Sequence, residues 1–539
     1  MGKQGKIYGR PRDEPLPNIS MGQLLLDKMR EHGDRVFLKN ADNGSRLTYS
    51  ELLEKSVKLA KYLQTHGIKS KDRICIVSEN QFNWLVPAYA SLYIGAICVP
   101  YNSAYTEWEF KNVLNISKPR IIFVSKRTEK LFTKLQSSFS WQMEIIELDD
   151  ESLTPSVRTL TNILNNEKVD FLKYNAVDIG DNSKHPAVIL NSSGTTGPPK
   201  GVTLSHRNLI AFVIESSKGD FFDITKTTKS LLFLPFYHGY AFGLLLLFLI
   251  NGGNIILMSN FEFERFLKLI DEYKPTHLPL VPPIMILLVK HPLVERYDFR
   301  SVREIICGAA PLAKEIVNAV KSRLGVKNVR NAYGMTEITI VSHISDRQED
   351  DIINLGCLLP GLYNKIVDIE TQETLGVDQI GEICFKGEQV MLGYWNNPEA
   401  TKQTIDKDGW LHSGDLGYYD QRGALRVVDR LKELIKYKGF QVSPSEVETV
   451  LLSHPAVKEA AVCGIPDLRS GELPMAVIVK QPGATVTAKD IMEFVKQKLS
   501  PQKWLRGGVQ FVDAIPKNPT GKILRREVRS MIEAMVSKL

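Results

Sequence analysis

The stretch Leu190-Asn191-Ser192-Ser193-Gly194-Thr195-Thr196-Gly197-Pro198-Pro199-Lys200-Gly201 concentrates hydroxyls, glycine turns and one ammonium group. Gly194 and Gly197 permit positive φ and let backbone N–H groups come close to a ligand. Ser192, Ser193, Thr195 and Thr196 offer hydroxyl donors, and Lys200 offers a point charge for phosphate oxygens. The chemistry that combination suits is a phosphate cradle. It is not the Walker A arrangement, because no Gly-Lys-Ser/Thr follows four spacer residues. The same composition also suits an ordinary surface turn, and the segments downstream decide between the two.

Five further segments follow in order. Gly308-Ala309-Ala310-Pro311-Leu312 follows an apolar run and precedes a helical pattern, so it suits a wall against a flat base or a simple strand-to-helix turn. Ala332-Tyr333-Gly334-Met335-Thr336-Glu337 places an aromatic plane, a backbone kink, a hydroxyl and a carboxylate close together: the plane suits adenine, the hydroxyl phosphate and the carboxylate Mg²⁺. Asp415, in Trp410-Leu411-His412-Ser413-Gly414-Asp415, suits a ribose hydroxyl pair. Val428-Asp429-Arg430-Leu431-Lys432 reads as a junction between domains, and Pro519-Thr520-Gly521-Lys522 presents a lysine at a turn. Each is weak alone, but six in one chain exceed what chance matching supplies.

The elements that must carry these residues alternate short apolar runs with helical patterns from about residue 47 to 330. Strands are expected at 73–77, 120–124, 144–148, 186–190, 231–234, 254–257 and 304–307, and helices at 49–66, 82–94, 263–273 and 312–324. A capping signal at Thr48 to Glu51 and a glycine at 67 bracket the first helix. Runs so apolar suit parallel sheets covered on both faces. The fold class is therefore α/β. We expect a large N-terminal domain over residues 1–429, made of two α/β subdomains and a β-rich part at about 350–429, a hinge at 430–432, and a small mobile α+β domain over 433–539.

With 539 residues the chain exceeds what one core supports, and 43% hydrophobic with 24% charged residues is a globular composition. The net charge of +7 is spread along the length, which suits anionic small ligands, and no basic block interleaved with aromatics points to nucleic acid. The six cysteines are far apart and flanked by apolar residues, so buried reduced thiols are expected rather than disulfides or a zinc site. The apolar run at residues 241–250 is too short to span a bilayer, and no secretory signal is recognisable at the start. Ser537-Lys538-Leu539 matches the peroxisomal address, implying peroxisomal localisation and an import receptor as partner.

In this combination of motifs the chain resembles the adenylate-forming superfamily of acyl-CoA synthetases, 4-coumarate-CoA ligases and beetle luciferases, over nearly its whole length. Residues 435–442 and 397–401 resemble the insect luciferase-like branch. The resemblance implies two half-reactions: a carboxylate attacks the α-phosphate of ATP to give an acyl-adenylate and pyrophosphate, and the thiol of coenzyme A then displaces AMP. It implies that the loop with Lys200 holds the β- and γ-phosphates, that Thr336 and Glu337 contact phosphate and Mg²⁺, and that Asp415 and Arg430 take the ribose. It further implies Lys522 as the lysine of adenylation and His238 as the histidine between acid and adenylate. The C-terminal domain is expected to turn about Lys432, exchanging Lys522 for a face carrying Lys436 and Gly439.

The acid pocket departs from the light-emitting members. Where beetle luciferases carry a paired histidine, an arginine, a phenylalanine and Ser-Ala, this chain has Tyr237, Phe212, Tyr240 and Ile340-Val341. Apolar walls strand the polar groups of a luciferin at about 1–3 kcal/mol each. They reward an alkyl chain by about 0.8 kcal/mol per methylene. A medium- or long-chain fatty acid is the expected substrate. Alternatives are a luciferin-oxidising monooxygenase and a 4-coumarate-type ligase, and Phe212, Ile340 and Val341 also suit a plain core role.

Overall fold

The computed structural model describes residues 5–192, 200–310, 312–347, 354–438, 440–467, 469–518 and 521–536. Ser193, Gly194, Thr195, Thr196, Gly197, Pro311, Gly439 and Ser537-Lys538-Leu539 lie outside them, and Ser192 enters only through its backbone.

Two large sheets dominate the first part of the chain. In the eight-stranded one, Pro186–Ser192, Ile97–Tyr101, Arg73–Val77, Ile121–Val124, Glu144–Glu147 and Arg158–Thr159 run parallel in that spatial order. In the nine-stranded one, Asn328–Tyr333, Glu304–Cys307, His277–Leu280, Lys229–Leu232, Asn254–Leu257 and Val36–Asn40 do the same. The expectation of parallel sheets is met by these strands, and the edge of the first sheet departs from it. Lys200–Ser205 returns antiparallel against Pro186–Ser192 and pairs in turn with Gly393–Tyr394. A chain that leaves a strand by a short loop pairs back on it antiparallel, and the alternation Val202-Thr203-Leu204-Ser205 is the period-two signal for that strand.

Helices fill the space between the sheets. Tyr49–Thr65 starts on the Thr48/Glu51 capping box, and Gly67 beyond its end has φ +78°. His206–Ser216 starts on a second capping box, from Ser205 to Asn208. Gly239–Asn251 begins at His238, whose Nδ1 accepts the N–H of Tyr240 at 3.3 Å, and stops at the left-handed Gly252. It is buried on nearly all sides, so its sequence lacks amphipathic contrast. Among the described residues no helix is long and apolar enough to cross a membrane.

A five-stranded antiparallel sheet, Ile7–Gly9, Leu362–Val367, Gly381–Gly387, Leu411–Tyr419 and Leu425–Arg430, follows. The last sheet is built on the hairpin Val457–Asp467 with Gly471–Lys480 and is covered by the helices Pro444–Leu452, Ala488–Lys498 and Arg525–Val536. Five cysteines, Cys75, Cys98, Cys307, Cys384 and Cys463, are free and buried.

One buried acid in the first sheet makes stability depend on pH. Glu147 is fully buried, and burial, with the Glu129 carboxyl beside it, raises it from 4.5 to about 9. Between those values the folded chain holds a proton that the unfolded chain releases, so stability falls as pH rises, by up to about 1.4 kcal/mol per pH unit. Denaturant unfolding at pH 5.5 and 8.5 is expected to show that loss, and Glu147→Gln to flatten it; an unchanged slope in the variant rules Glu147 out as its source.

Candidate active site

Both parallel sheets end at one cavity of about 1040 Å³. Ligands in open α/β sheets gather outside the carboxyl ends of the strands, and the contributions here come from there. Gly308 and Ala309 follow Glu304–Cys307, Tyr333 ends Asn328–Tyr333, and Asn191 and Lys200 flank the loop between the hairpin strands. Ala309 has φ +73°, a left-handed turn taken straight off the strand end. Ala310 is described immediately beyond it but does not line the cavity.

The polar groups meet in a small space. Tyr333 donates its hydroxyl to Asp415 at 2.7 Å, and Arg430 Nε lies 3.2 Å from the other oxygen of the same carboxylate. Burial raises the Asp415 carboxyl against the pull of Arg430. Glu337, also buried, accepts the hydroxyl of Tyr394 at 3.0 Å, and Lys200 Nζ sits 4.7 Å above the ring of that tyrosine. Burial raises Glu337 too, against the Tyr394 hydrogen bond and the charges of Arg430 and Lys522. Thr336 lies next to it on the wall, and an oxygen-only pair of hydroxyl and carboxylate suits a hard divalent cation.

Lys522 reaches this space from the last domain. Asn518 and Lys522 are joined by two hydrogen bonds of 2.9 Å, and Gly521 at φ +80° packs so close that a Cβ there would lie 2.6 Å from Pro283. Lys290, on the same helix as Pro283, donates to the carbonyl of Val457 at 3.2 Å. Burial, then Arg430, lowers Lys522 to about 8, and burial, then Lys522, lowers His238 to about 4. At neutral pH the site therefore pairs an ammonium with a neutral imidazole. Lys436 lies elsewhere: it is exposed, lines no part of the cavity, and its N–H donates to Glu472 at 2.8 Å.

Beyond His238 the walls turn apolar, with Phe212, Tyr240, Ile340 and Val341 joined by Phe222, Leu244 and Leu247. The Tyr240 hydroxyl is already given to the carbonyl of Ile306 at 2.9 Å. Thr339 and Ile340 hold φ +56° and +81°, rare for β-branched residues and costing on the order of 1–3 kcal/mol each. Gly334 makes this kink possible, since a Cβ there would lie 2.0 Å from the Ile340 carbonyl oxygen. The kink delivers Ile340 against Gly243 and Phe212.

The cavity thus brings together Lys200, His238, Gly308, Ala309, Tyr333, Gly334, Thr336, Glu337, Asp415, Arg430 and Lys522. Motif reading passed over Tyr394, which abuts the segment 397–401 that it did notice. It also passed over Glu382, whose carboxylate accepts the Gly414 N–H at 2.9 Å and pairs with His412 at 2.8 Å, steadying the turn before Asp415.

Comparison with known proteins gives the family. Residues 25–395 match the family described as AMP-binding enzyme, and residues 446–522 match the AMP-binding enzyme C-terminal domain. The chain is 38% identical to luciferin 4-monooxygenase of Photinus pyralis over 96% of its own length and 95% of that protein's. It is 37% identical to 4-coumarate–CoA ligase 1 of Petroselinum crispum over 96% and 94% of the two lengths. Among solved structures, ATP-bound MatB from Rhodopseudomonas palustris superposes with a TM-score of 0.86 at 27% identity, covering 96% of this chain and 100% of that one. The apo form of the same protein, at 28% identity and the same coverages, gives 0.76.

Proposed function

This chain belongs to the AMP-binding enzymes of the adenylate-forming superfamily, and from that premise we propose that it is a fatty acyl-CoA ligase, forming AMP. The observation that carries the choice of acid is the apolar end of the cavity. Phe212, Phe222, Leu244, Leu247, Ile340 and Val341 provide alkyl and ring surface, and the one hydroxyl among them, on Tyr240, is already bonded. A methylene chain gains about 0.8 kcal/mol per buried carbon there, and a heterocycle with unmet polar groups loses.

In the first half-reaction a carboxylate oxygen forms a bond to the α-phosphorus of ATP as the bond to the pyrophosphate oxygen breaks. Both reactants are anions, so the residues serve mainly to neutralise charge and align the attack. Asp415 takes the ribose hydroxyls, Tyr333 and the turn Gly308-Ala309 flank the base, and Lys200 with the preceding loop holds the outer phosphates. Lys522 bridges the carboxylate and the α-phosphate, and neutral His238 orients the acid. Glu337 and Thr336 would hold Mg²⁺, which supplies further neutralisation of the phosphate oxygens when bound.

In the second half-reaction the sulfur of coenzyme A bonds to the acyl carbon, the carbon–oxygen bond to AMP breaks, and the thiol proton is released. Lys522 lines the cavity in this arrangement while Lys436 faces solvent, so the two lysines serve the halves in turn, through rotation about Lys432. The better superposition on ATP-bound than on apo MatB supports reading this arrangement as the one for adenylation. Import into the peroxisome through Ser537-Lys538-Leu539 is part of the same proposal.

The likeness to luciferin 4-monooxygenase favours one rival, oxidation of luciferin with light. Purified protein with ATP, Mg²⁺ and coenzyme A, offered fatty acids, 4-coumarate and luciferin, separates the readings when pyrophosphate, AMP, thioester and light are each measured. Fatty acids are expected to give the fastest AMP release with matching thioester. Light from luciferin outpacing AMP from every fatty acid would overturn the proposal, as would faster thioester formation from 4-coumarate.

A further inference from the structure

The helix Gly239–Asn251 and the residues packed on its far end suggest what length of acid the cavity admits. We propose that Leu247 and Phe222 form the floor of an acyl channel and limit the acid to about twelve carbons. The inference rests on the fatty acyl-ligase reading above.

The polar and apolar ends of the cavity are ordered along this helix. His238 caps its N-terminus beside Lys522, and the residues of the helix that line the cavity beyond Gly239 are Tyr240, Leu244 and Leu247. That spacing of four and three residues is one stripe on one helix face. The stripe runs away from the reacting groups, so Leu247 is its deepest member. The neighbouring helix His206–Ser216 runs alongside in the same direction. Phe212 packs at Gly243, and farther along Asn251 donates to the Ser217 hydroxyl at 2.8 Å. The Phe222 N–H donates to the carbonyl of Ser216 at 3.1 Å, which puts it at the C-terminal end of that helix, and its side chain lines the cavity as Leu247 does. Both side chains line the cavity and are buried, at 5% and 1% exposure, so neither leaves an opening to solvent through itself.

Between Tyr240 and Leu247 the wall opposite the helix is made by Ile340 and Phe212, which line the cavity and pack on Gly243. A Cβ at that position would lie 2.8 Å from Ile340 and 3.0 Å from Phe212, so those two side chains close over a backbone with nothing to push them apart. From residue 239 to 247 the helix advances about 12 Å. An extended alkyl chain advances about 1.25 Å per carbon, from a bond length near 1.5 Å, so this span takes about nine or ten carbons beyond the carboxylate. Acids of about ten to twelve carbons fill it, and acids of about sixteen to eighteen must bend or displace Leu247. Each methylene short of the floor forfeits a factor of about four.

The test is acid-dependent pyrophosphate–ATP exchange by the full-length protein with even-numbered saturated acids from hexanoate to stearate, comparing native protein with Leu247→Ala, Phe222→Ala and Leu244→Phe. Native kcat/KM is expected to climb to decanoate or laurate and drop about tenfold by palmitate. Leu247→Ala and Phe222→Ala move the optimum up by about two to four carbons, from the side-chain volume removed. Leu244→Phe moves it down, so the floor stays testable even where an alanine variant does not fold, folding being read from thermal unfolding. A native optimum at palmitate or stearate, or one unmoved in every folded variant, overturns the floor while leaving the fatty acyl ligase intact. Exchange with no fatty acid of any length overturns the ligase reading itself.

Discussion

Lys522→Ala is expected to lower acid-dependent adenylate formation by about 10²- to 10³-fold, the cost of removing one preorganised charge from a developing anion. Thioester formation from acyl-adenylate supplied ready-made should stay near native. The reason is geometric: Lys522 lines the cavity at the meeting point of His238, Arg430 and Glu337. Lys436→Ala should show the reverse, since that side chain stands in solvent away from the cavity and would be needed only after rotation. Single-turnover measurement of each half-reaction checks both, and equal loss of both halves in each variant contradicts the division. The lowered Lys522, at about 8, adds a pH signature. Below that value the ammonium form is present, and above it the charge is lost, so native kcat/KM for adenylation should fall on the alkaline side near pH 8, a limb that Lys522→Ala lacks.

Asp415→Asn is expected to raise KM for ATP by about 10²-fold, consistent with about 1.5–3 kcal/mol for each charge-assisted hydrogen bond lost. The buried carboxylate is shared by Tyr333 and Arg430 and would also receive the ribose, so the amide breaks three relations while keeping the shape. Isothermal titration with ATP and with free pyrophosphate separates the roles. Nucleotide affinity should collapse while pyrophosphate affinity, set near Lys200, persists; equal loss of both would point to a collapsed site instead.

The family and the polar half of the site were legible because their residues come in contiguous strings. Tyr333, Thr336 and Glu337 lie within five positions, and Asp415 and Arg430 face each other across one antiparallel pair. The apolar half was legible only in part. Phe212, Tyr240, Ile340 and Val341 could be located by resemblance. Leu244 and Leu247 sit in a helix buried on nearly every side, where no polar face marks which leucines border a cavity. Phe222 joins them through a turn, and Tyr394 reaches Glu337 across 57 residues, relations that no local pattern encodes. The returning strand Lys200–Ser205 is only six residues long and follows directly on a loop of glycines, prolines and hydroxyls, so its period-two alternation is short and weak.

The central claim is that this cavity activates an alkyl carboxylate as its adenylate. Exchange of labelled pyrophosphate into ATP without coenzyme A tests it most directly, because exchange requires reversible adenylate formation and nothing later. We expect exchange that depends on laurate or decanoate and falls by about 10²- to 10³-fold in Lys522→Ala. Exchange driven by luciferin or 4-coumarate but by no fatty acid would contradict the account.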